Sequence, residues 1–560
     1  MAECRICSGE LKLLVRGNGA AVTAAALSPS AHAVGGHGDL FVCRECGTVQ
    51  QPILPSGEPL HDLYREMRDD EYLREEAGRR ATANRLLDRI AAHVPSGRLL
   101  DVGCGYGLLL DEARKRGYET LGLELSRDGA RYARETLGLD VRELPLEAFG
   151  EGRNGDSPGE FDAIVLADVL EHLDDPVAAI DTCAALLRPG GVVCIVTPDP
   201  SSATARAAGS RWWGFLPAHT VLLPRKTLRE LISARGLVIS EDVPFVRTFA
   251  ARRWVEGLAE RLGPLSGPLN AVAERMPERS LSLSLYDERV ILAHRTPVLE
   301  PEKPLLGDNG AGRAVHVVLP AYRATRTIPD VVSEMPVEAA DRALLVDDAS
   351  GDETSVVALR HGLDVLTHPA NRGYGASQKT GYVRALRDGA KVIVMVHADN
   401  QYDPGLVAEM AAPILAGEAD IVIGSRLLID RAVAGGMPRW KWLGNRLLTG
   451  IENRAFGVHF SEYHTGYRAF SADFLRSIPF LRNSDDFVFD QEIFAQMLAR
   501  GARVKEIPIP TRYFHEASSV DFVTSLRYAF KTLLVLGRYR LDRRWALLRR
   551  PAAWIAPDGD

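Results

Sequence analysis

Cysteine is scarce in this sequence, with 7 in 560 residues, and this scarcity excludes a scaffold held together by disulfides. The chain also lacks an uninterrupted apolar stretch of about 18 residues, so we expect no transmembrane helix. Its first residues lack the apolar run of a signal peptide, and we therefore expect a cytoplasmic protein. Positive charge is not in excess, because 67 Lys and Arg face 74 Asp and Glu. The net charge of −7 argues against nucleic acid as a partner.

Apolar residues are present in ordinary amounts. They make up 46% of the chain and charged residues 25%, which is the balance of a folded globular protein. A mainly disordered chain is excluded, because there is enough apolar surface to form cores. At about 150 residues per domain, the length predicts three or four structural units.

Four of the seven cysteines occur as two pairs near the N-terminus. Cys4 and Cys7 form one Cys-x2-Cys pair, and Cys43 and Cys46 form the second. Such pairs supply four thiolates to a tetrahedral zinc ion, and four protein ligands leave no position open for a substrate. Gly47 suits the tight turn after the second pair. We predict a structural zinc site; two unrelated surface pairs or a redox dithiol are the alternatives.

A glycine-rich turn follows a predicted strand in the next segment. The strand covers Leu99 to Val102, and glycines stand at positions 103, 105 and 107, before a predicted helix. Glycines let the backbone turn tightly and approach a ligand closely. A second strand ends in Glu124, about 20 residues later, where a carboxylate can accept hydrogen bonds from a ribose. The pattern predicts an α/β domain whose ligand contains a ribose.

This segment, about residues 97–240, resembles the class I S-adenosylmethionine-dependent methyltransferases. Besides the glycine turn, the resemblance rests on FDAIVLADVLEHLDDP and LLRPGGVVCIVTPDP. It implies that the cofactor lies against Asp101, Gly103, Gly105, Gly107, Glu124 and Asp168. In this resemblance Glu124 binds the ribose, and Asp168 lies beside the cofactor after the fourth strand. A nicotinamide-binding domain is the alternative, but the Leu-Arg-Pro-Gly-Gly turn has no place in it.

Two histidines are candidate general bases for the methyl acceptor. His172 follows the fourth strand, and His219 lies in a loop before a predicted helix. Methyl transfer needs in-line positioning and such a base, because the sulfonium already activates the methyl group. The alternative for His172 is a helix start that packs on Asp174 or Asp175. The loop and the cysteine pairs resemble sugar C-methyltransferases, which implies a sugar or a small glycosylated metabolite as the acceptor.

Residues 298–314 are rich in proline, glycine and charge, and this composition predicts a linker. Strands and helices alternate after it, and acidic residues follow two of the strands: Asp347 with Asp348, and Asp399. In an open parallel sheet such strand ends meet at one edge, where ligands bind. Carboxylates at this edge can hold a divalent metal that neutralises a diphosphate.

The region of about 313–515 resembles family 2 glycosyltransferases of GT-A fold, in the dolichyl-phosphate mannose synthase-like branch. The resemblance rests on LPAYR, VDDASGDET, NRGYGASQKTGY, DNQYDP, IVIGSR, TGYRAF and EIPIPTRY. It implies a nucleotide-sugar site formed by Pro320, Ala321, Tyr322, Asp347, Asp348, Arg426 and Arg468. The first three would frame the base, the aspartates would bind the base and ribose, and the arginines would face phosphates. Asp399 and Gln401 would reach Mn²⁺ or Mg²⁺ and the diphosphate.

One departure from that family concerns the metal. The family usually has Asp-x-Asp, and here His397 replaces the first aspartate. Imidazole can ligate manganese but is a poorer ligand for magnesium. An active transferase and a non-catalytic domain that binds a sugar nucleotide therefore both remain open.

The acceptor side offers one candidate base, Asp490, at the start of a predicted helix. It could deprotonate a hydroxyl acceptor, and capping of the helix is the alternative. A lipid-phosphate acceptor would need no strong base, because its oxygen is already anionic.

Residues 521–560 form a predicted basic, amphipathic tail. Between Arg527 and Arg550, eight Lys or Arg residues and one acid alternate with leucines and aromatics. A segment of this kind lies on the surface of anionic membranes. A helix packed on the sheet with a solvated face is the alternative.

The sequence thus predicts an α/β protein with two Rossmann-like domains and a small zinc-binding module. The expected units are the module 1–60, a methyltransferase domain 61–297, the linker 298–314, a GT-A domain 315–520 and the tail 521–560. The expected function is methylation and sugar transfer by one chain, in surface polysaccharide or glycolipid assembly. The alternative is a working methyltransferase joined to a non-catalytic GT-A domain.

Overall fold

Two segments of alternating strands and helices fold as separate units, Met1–Arg295 and Thr296–Asp560. The computed structural model describes residues 3–17, 23–28, 37–51, 57–69, 71–150, 159–255, 275, 280–306, 315–428, 439–510, 522–542 and 555. Both units are mixed α/β, which confirms the predicted fold class.

The first unit contains thirteen described strands and eight described α-helices. Its strands are β1 Leu11–Val15, β2 Leu40–Cys43, β3 Val49–Gln50, β4 Arg98–Val102, β5 Glu119–Leu123, β6 Val141–Arg142, β7 Phe161–Ala167, β8 Leu187–Pro198, β9 Val221–Leu222, β10 Val238–Pro244, β11 Arg247–Ala250, β12 Ser280–Leu283 and β13 Glu288–His294. Its helices are α1 Glu58–Glu66, α2 Glu76–Ala91, α3 Leu108–Lys115, α4 Arg127–Glu135, α5 Leu146–Gly150, α6 Pro176–Leu186, α7 Ala203–Ala208 and α8 Arg225–Ala234.

Seven of these strands form the central sheet in the order β10-β13-β8-β7-β4-β5-β6. The pairs from β8 to β6 are parallel, and β13 runs antiparallel to both of its neighbours. The central strands are buried almost without interruption, because helices cover both faces of a sheet of this kind. The carboxyl ends of β4, β5 and β7 therefore meet at one edge, where the loops are free to form a site.

The cysteine pairs belong to a small sheet that is not limited to residues 1–60. Its order is β1-β2-β3-β9, and the last strand comes from Val221–Leu222. Thr227 Oγ1 also donates to the carbonyl of Cys46 at 2.6 Å. The predicted module thus shares its sheet with a segment that lies far along the chain.

The second unit contains eight described strands and eight described α-helices. Its strands are β14 Val298–Leu299, β15 Val315–Ala321, β16 Arg342–Asp347, β17 Asp364–Thr367, β18 Val392–Met395, β19 Ile421–Ser425, β20 Arg468–Ser471 and β21 Val504–Pro508. Its helices are α9 Ile328–Glu334, α10 Thr354–Arg360, α11 Tyr374–Arg387, α12 Val407–Leu415, α13 Arg439–Phe456, α14 Ala472–Ser477, α15 Phe489–Arg500 and α16 Phe522–Leu541.

All eight strands form one sheet in the order β14-β17-β16-β15-β18-β20-β19-β21. The four strands from β17 to β18 are parallel, and β20 is antiparallel to both neighbours. The predicted linker is corrected at its start, because Val298–Leu299 pairs with β17 and Leu306 is buried in the core. An edge strand of two residues gives too short a periodic pattern to be seen in the sequence.

The first half of the predicted tail is the helix α16. Four of its described residues, Thr532, Val535, Leu536 and Tyr539, are buried, and the ring centroids of Tyr539 and of Phe456 in α13 lie 5.0 Å apart. Residues 543–554 and 556–560 lie outside the described part of the chain. Among the helices that the structure describes, none is both long and apolar enough to cross a membrane.

Candidate functional site

The four paired cysteines converge on one point. One sulfur atom from each of Cys4, Cys7, Cys43 and Cys46 lies within 4.8 Å of the others. Backbone N–H groups of Ile6, Glu45 and Cys46 point at sulfur, at 3.3 to 3.4 Å. Such donors stabilise thiolates, which are the form that binds zinc. Gly47 has φ +73° and donates to the Cys43 carbonyl, as the predicted tight turn requires.

A cavity of about 940 Å³ opens at the carboxyl edge of the central sheet in the first unit. Four of the six predicted cofactor residues line it, at the ends of β4, β5 and β7, whereas Asp101 and Gly107 do not. Of the predicted residues, Gly103, Gly105, Glu124 and Asp168 line it directly. The structure thus brings together residues that are 65 positions apart in the chain, because parallel strands end at one edge.

The glycine turn at the end of β4 has the left-handed backbone that favours glycine. Gly103 has φ +68°, and a Cβ there would lie 2.7 Å from a methyl group of Val169. Gly105 has φ +56°, and the nearest atom to an added Cβ is Tyr72 Oη at 3.5 Å. The first glycine therefore allows close packing, and the second leaves open space for a ligand.

The carboxylate of Glu124 is held by the turn itself. It accepts from the N–H groups of Gly105 and Ser126, both at 2.6 Å. Asp101 is buried at the end of β4, and burial together with the nearby Glu124 charge raises its pKa to about 8. Burial also raises the pKa of Glu124. Two adjacent buried acids of this kind favour a ligand that carries positive charge.

The sequence motifs did not reveal several side chains of this cavity. Tyr72 stacks on Tyr106 at 4.8 Å between ring centroids, and the Arg79 guanidinium lies 3.7 Å from the Tyr72 ring centroid. Arg247 of β11 donates to Asp168 at 2.7 and 2.8 Å. Tyr72 and Arg79 lie in a segment with a helical sequence pattern, and this pattern alone does not indicate that they line a cavity. Arg247 was not predicted because its partner Asp168 lies 79 residues away in the chain.

The two candidate histidines are neighbours, with ring centroids 4.9 Å apart. His172 Nδ1 lies 2.9 Å from Tyr64 Oη and 3.1 Å from the Ala218 carbonyl, and His219 Nδ1 lies 2.7 Å from the Gly214 carbonyl. Burial lowers the pKa of His172 to about 3 and that of His219 to about 4. Both rings are therefore neutral at pH 7 and each can accept a proton.

The two acids that follow His172, on which the alternative interpretation would pack it, accept hydrogen bonds from backbone groups. The Asp175 carboxylate caps α6 by accepting from Val177 and Ala178 N–H groups. Asp174 accepts from the Gly57 N–H at 2.5 Å.

In the second unit, the two consecutive aspartates hold the loops of the sheet edge. Asp347 accepts from the Ser350 N–H at 3.0 Å and from the Ser355 hydroxyl at 2.5 Å. Asp348 accepts from the N–H groups of residues 372 and 373 at 2.8 and 2.7 Å, and His368 Nδ1 lies 2.7 Å away. Since a carboxylate has about four lone-pair sites, these bonds leave capacity for a ligand.

The predicted base-binding residues lie at the end of the central strand of that sheet. Pro320 and Ala321 end β15, and Ala321 is buried. Tyr322 is half exposed, and the Arg323 guanidinium lies 5.2 Å from its ring centroid. An exposed aromatic face at a strand end can stack on a base.

The predicted metal loop follows β18. His397 Nδ1 lies 3.9 Å from Asp399 Oδ1, and the Gln401 N–H donates to the same oxygen at 3.2 Å. His397 Nε2 lies 2.9 Å from Tyr374 Oη. The imidazole packs against Gly466, where an added Cβ would come 2.1 Å from Nε2. Asp399 and His397 Nδ1 are thus the atoms on this loop that could approach a cation together.

The two predicted phosphate-binding arginines are engaged in ion pairs. Arg426 pairs with the buried Glu462, and Arg468 Nη1 lies 3.0 Å from Asp490 Oδ1. Asp490 also accepts from Gln378 at 3.2 Å. Its interpretation as a helix cap is wrong, because Val488 occupies the N-cap position of α15. Asp490 instead joins a buried polar group below the metal loop.

Two family models match the chain. Residues 72–241 match the one described as a methyltransferase domain, and residues 316–478 match glycosyl transferase family 2. The matches fall within the first and the second unit respectively. They confirm the two resemblances seen in the motifs.

Three curated relatives illustrate the likeness. An uncharacterized protein of Methanocaldococcus jannaschii is 31% identical over 222 residues, which are 39% of this chain and 91% of that protein. The UDP-N-acetylglucosamine–dolichyl-phosphate N-acetylglucosaminyltransferase of Methanococcus voltae is 25% identical over 40% of this chain and 97% of its own length. The ubiquinone biosynthesis O-methyltransferase of Xanthomonas campestris is 36% identical over 118 residues, 20% of this chain and 48% of that enzyme. The last match therefore spans only about half of its relative.

Two solved structures resemble parts of the chain. A S-adenosylmethionine-dependent methyltransferase of Thermotoga maritima, a possible histamine N-methyltransferase, is 16% identical and covers 40% of this chain and 94% of its own, with a TM-score of 0.29. The UDP complex of glucosyl-3-phosphoglycerate synthase from Mycobacterium tuberculosis is 19% identical and covers 41% and 80%, with a TM-score of 0.33. Each corresponds to less than half of the chain.

We expect Asp101→Asn to flatten the pH dependence of stability. The pKa of Asp101 is about 8 in the folded chain and about 4 in the unfolded chain. The contribution of this carboxyl to folding stability is therefore fully present below about pH 4 and is lost as the pH rises to 8. The amide does not titrate. Thermal unfolding of the ligand-free chain should be measured between about pH 5 and pH 8. Over this range the free energy of unfolding of the variant should rise relative to that of the wild type, by at most about 1.4 kcal/mol per pH unit.

The matched control is Asp181→Asn, since Asp181 is exposed and pairs with Arg235. For this variant, the free energy of unfolding should change with pH as steeply as it does for the wild type. Parallel pH profiles for the wild type and Asp101→Asn would contradict the assignment of the raised pKa to Asp101.

Proposed function

Because the chain joins a methyltransferase domain over residues 72–241 to a glycosyl transferase family 2 domain over residues 316–478, we propose that it is a bifunctional transferase. The first unit transfers a methyl group from S-adenosylmethionine to a sugar or a small glycosylated metabolite. The second transfers a sugar from a nucleotide-sugar donor to a lipid-phosphate or glycan acceptor. Both steps would serve the assembly of a surface polysaccharide or glycolipid.

The cavity at the glycine turn carries the methyltransferase half of this proposal. S-adenosylmethionine, when bound, supplies a methyl group already activated by its sulfonium. Gly105 has no side chain and so leaves space for the cofactor beside Tyr72. The buried Asp101 favours the positive charge at the methionine end of the cofactor. The Glu124 carboxylate accepts hydrogen bonds from the ribose hydroxyls. His172 and His219 lie in the wall of the same cavity and can take up or direct the acceptor's proton.

Isothermal titration with S-adenosylhomocysteine tests this half. We expect the wild-type chain to bind it and Gly105→Arg to lose measurable binding, because the new side chain fills the space beside Tyr72. Gly209→Arg, the same exchange at a glycine that also has φ +56° and whose Cβ position is open, should bind normally. Absence of binding by the wild type, or equal binding by Gly105→Arg, would remove the proposal.

The sheet edge of the second unit carries the glycosyltransferase half. A divalent cation there would neutralise charge on the leaving diphosphate, and Asp399 and His397 are the residues that would hold it. Imidazole with a carboxylate suits Mn²⁺ better than Mg²⁺. Asp347, Asp348 and Tyr322 would bind the nucleoside. Asp490 would receive the proton of a hydroxyl acceptor, which a lipid-phosphate acceptor does not carry.

Transfer from nucleotide sugars in the presence of Mn²⁺ tests this half. Asp399→Asn should lower the rate about 100-fold or more, because a metal is worth several kcal/mol in stabilising the leaving group. Asp403→Asn in the same loop, where the carboxylate accepts from the Gly405 N–H at 2.9 Å, should stay near the wild-type rate. If the wild type is inactive with every nucleotide sugar and His397→Asp creates activity, the second unit is a binding domain and the proposal fails.

A lipid-linked acceptor is favoured by two neighbouring helices of the second unit. On α13, Leu443, Leu447 and Ile451 are exposed at a spacing of four residues, so they share one face. On α16, the exposed residues at helical spacing are Phe530, Leu533, Leu534 and Leu541. The two helices pack on each other. Such apolar faces beside arginines are typical of helices that lie on an anionic bilayer.

Sedimentation with phosphatidylglycerol-containing vesicles tests the membrane contact. Leu447→Asp combined with Leu534→Asp should reduce binding at least about tenfold, because each change removes about 1.5–3 kcal/mol of apolar burial. Val356→Asp, at an exposed apolar residue of α10, should have little effect. The proposal fails if the wild type stays in the supernatant or if the double variant sediments as well as the wild type does.

The four-cysteine cluster fits a structural zinc ion. All four sulfur atoms lie within 4.8 Å of one another, and the backbone N–H groups of Ile6 and Glu45 point at two of them. Four thiolates complete a tetrahedral site, so this zinc would hold the small sheet together and take no part in transfer.

A further inference from the structure

Three ligand-type side chains meet in the wall of the methyltransferase cavity, apart from the cysteine cluster. One carboxylate oxygen of Glu171 and one ring nitrogen each of His172 and His219 lie within 4.8 Å of one another. Glu171 and His172 follow β7, whereas His219 lies in the loop before β9. All three line the cavity of about 940 Å³. The fold thus brings a carboxylate and two imidazoles from separate segments to one point beside a substrate-sized space.

The two imidazoles are oriented through their Nδ1 atoms. His172 Nδ1 lies 3.1 Å from the Ala218 carbonyl and His219 Nδ1 lies 2.7 Å from the Gly214 carbonyl. A carbonyl oxygen can only accept, so Nδ1 of His219 carries the proton and its Nε2 keeps a lone pair. His172 Nδ1 also lies 2.9 Å from the Tyr64 hydroxyl, which can donate or accept, and the neutral ring keeps one lone pair in either tautomer. Histidines that ligate metals are held in the same way, with the second nitrogen donating to a carbonyl or carboxylate.

Three acidic side chains of the described residues interact electrostatically near this point. Asp168 and Glu288 share the single guanidinium of Arg247, at 2.7 and 2.5 Å. The Glu171 carboxylate is buried and accepts from the Thr197 hydroxyl at 3.0 Å. When ionised, the three carboxylates and one guanidinium carry a formal charge of −2. Uncompensated charge in a buried site is costly, and a divalent cation at Glu171 would offset it.

We propose that Glu171, His172 and His219 bind a divalent transition-metal ion such as Zn²⁺. Two imidazoles and one carboxylate are a ligand set of catalytic zinc sites, which keep a position open for substrate. Here the open position would face the cavity. The cysteine cluster, by contrast, has a complete set of thiolates.

The site narrows the acceptor to a compound with a hydroxyl group, and this step rests on the proposed methyl transfer. The acceptor oxygen would bind the ion, which lowers the pKa of its proton, and the proton would pass to water. The oxygen then forms a bond to the methyl carbon as the carbon–sulfur bond breaks, and S-adenosylhomocysteine leaves. The two histidines would serve as ligands in this scheme, and water would replace them as the proton acceptor.

Cobalt binding by the full chain tests the site without an acceptor. The chain, with zinc already at the cysteine cluster, is equilibrated with Co²⁺ alone. Bound cobalt is then counted by elemental mass spectrometry, and its visible absorption is recorded. We expect Glu171→Gln, His172→Gln and His219→Gln each to bind one Co²⁺ per chain fewer than the wild type. His93→Gln should keep the wild-type count, because His93 is a half-buried imidazole that pairs with Glu241 outside the cavity.

Two further measurements keep the outcomes distinct. Titration with S-adenosylhomocysteine and thermal unfolding identify variants that retain the fold, and a retained affinity separates failure of the metal site from failure of the methyltransferase proposal. The proposed ligands come from two segments, one with Glu171 and His172 and one with His219. The proposal therefore requires that a folded variant in each segment lose the bound Co²⁺. The proposal is overturned if folded variants of Glu171 and His219 bind as much Co²⁺ as the wild type.

Discussion

The side-chain amide of Gln51 fixes the loop that contains His219 in the first unit. It is buried, and its nitrogen donates to the carbonyls of Leu216 and His219 at 2.7 and 2.9 Å. Its oxygen accepts from the Gly38 N–H at 2.8 Å. Leaving such buried groups without partners would cost about 1–3 kcal/mol each. Gln51 follows β3, which pairs with β9, so the sheet that contains the cysteines also sets the position of the His219 loop. The cysteine cluster and the cavity are therefore parts of one structure.

Electrostatics differ between the two sheet edges. In the first unit, Asp101 and Glu124 are buried close together, and both have raised pKa values. In the second unit, Asp348 is surrounded by donors, from two backbone N–H groups and from His368. Burial thus favours the uncharged form of the acids at the first edge, whereas donors of the protein stabilise the carboxylate at the second.

Local patterns were sufficient to predict the two α/β domains and most strand-end residues. Glycines in a left-handed turn and acids after apolar strands are properties of short segments, and the structure places them at the sheet edges. Contacts between distant segments could not be predicted. Arg247 meets Asp168 across 79 residues, and β9 completes the sheet of the cysteines. Likewise, each histidine was visible in the sequence, but their separation of 4.9 Å is set by the fold.

The contact between His397 and Gly466 has a consequence for how this chain can vary. The backbone of Gly466 lies so close to the imidazole that any added side-chain carbon would overlap its Nε2 atom. The same nitrogen also lies 2.9 Å from Tyr374 Oη, so a shift of the ring would disturb that contact. A larger residue at 466 therefore requires a smaller or differently placed residue at 397. The two positions are sterically coupled, although they lie 69 residues apart in the chain.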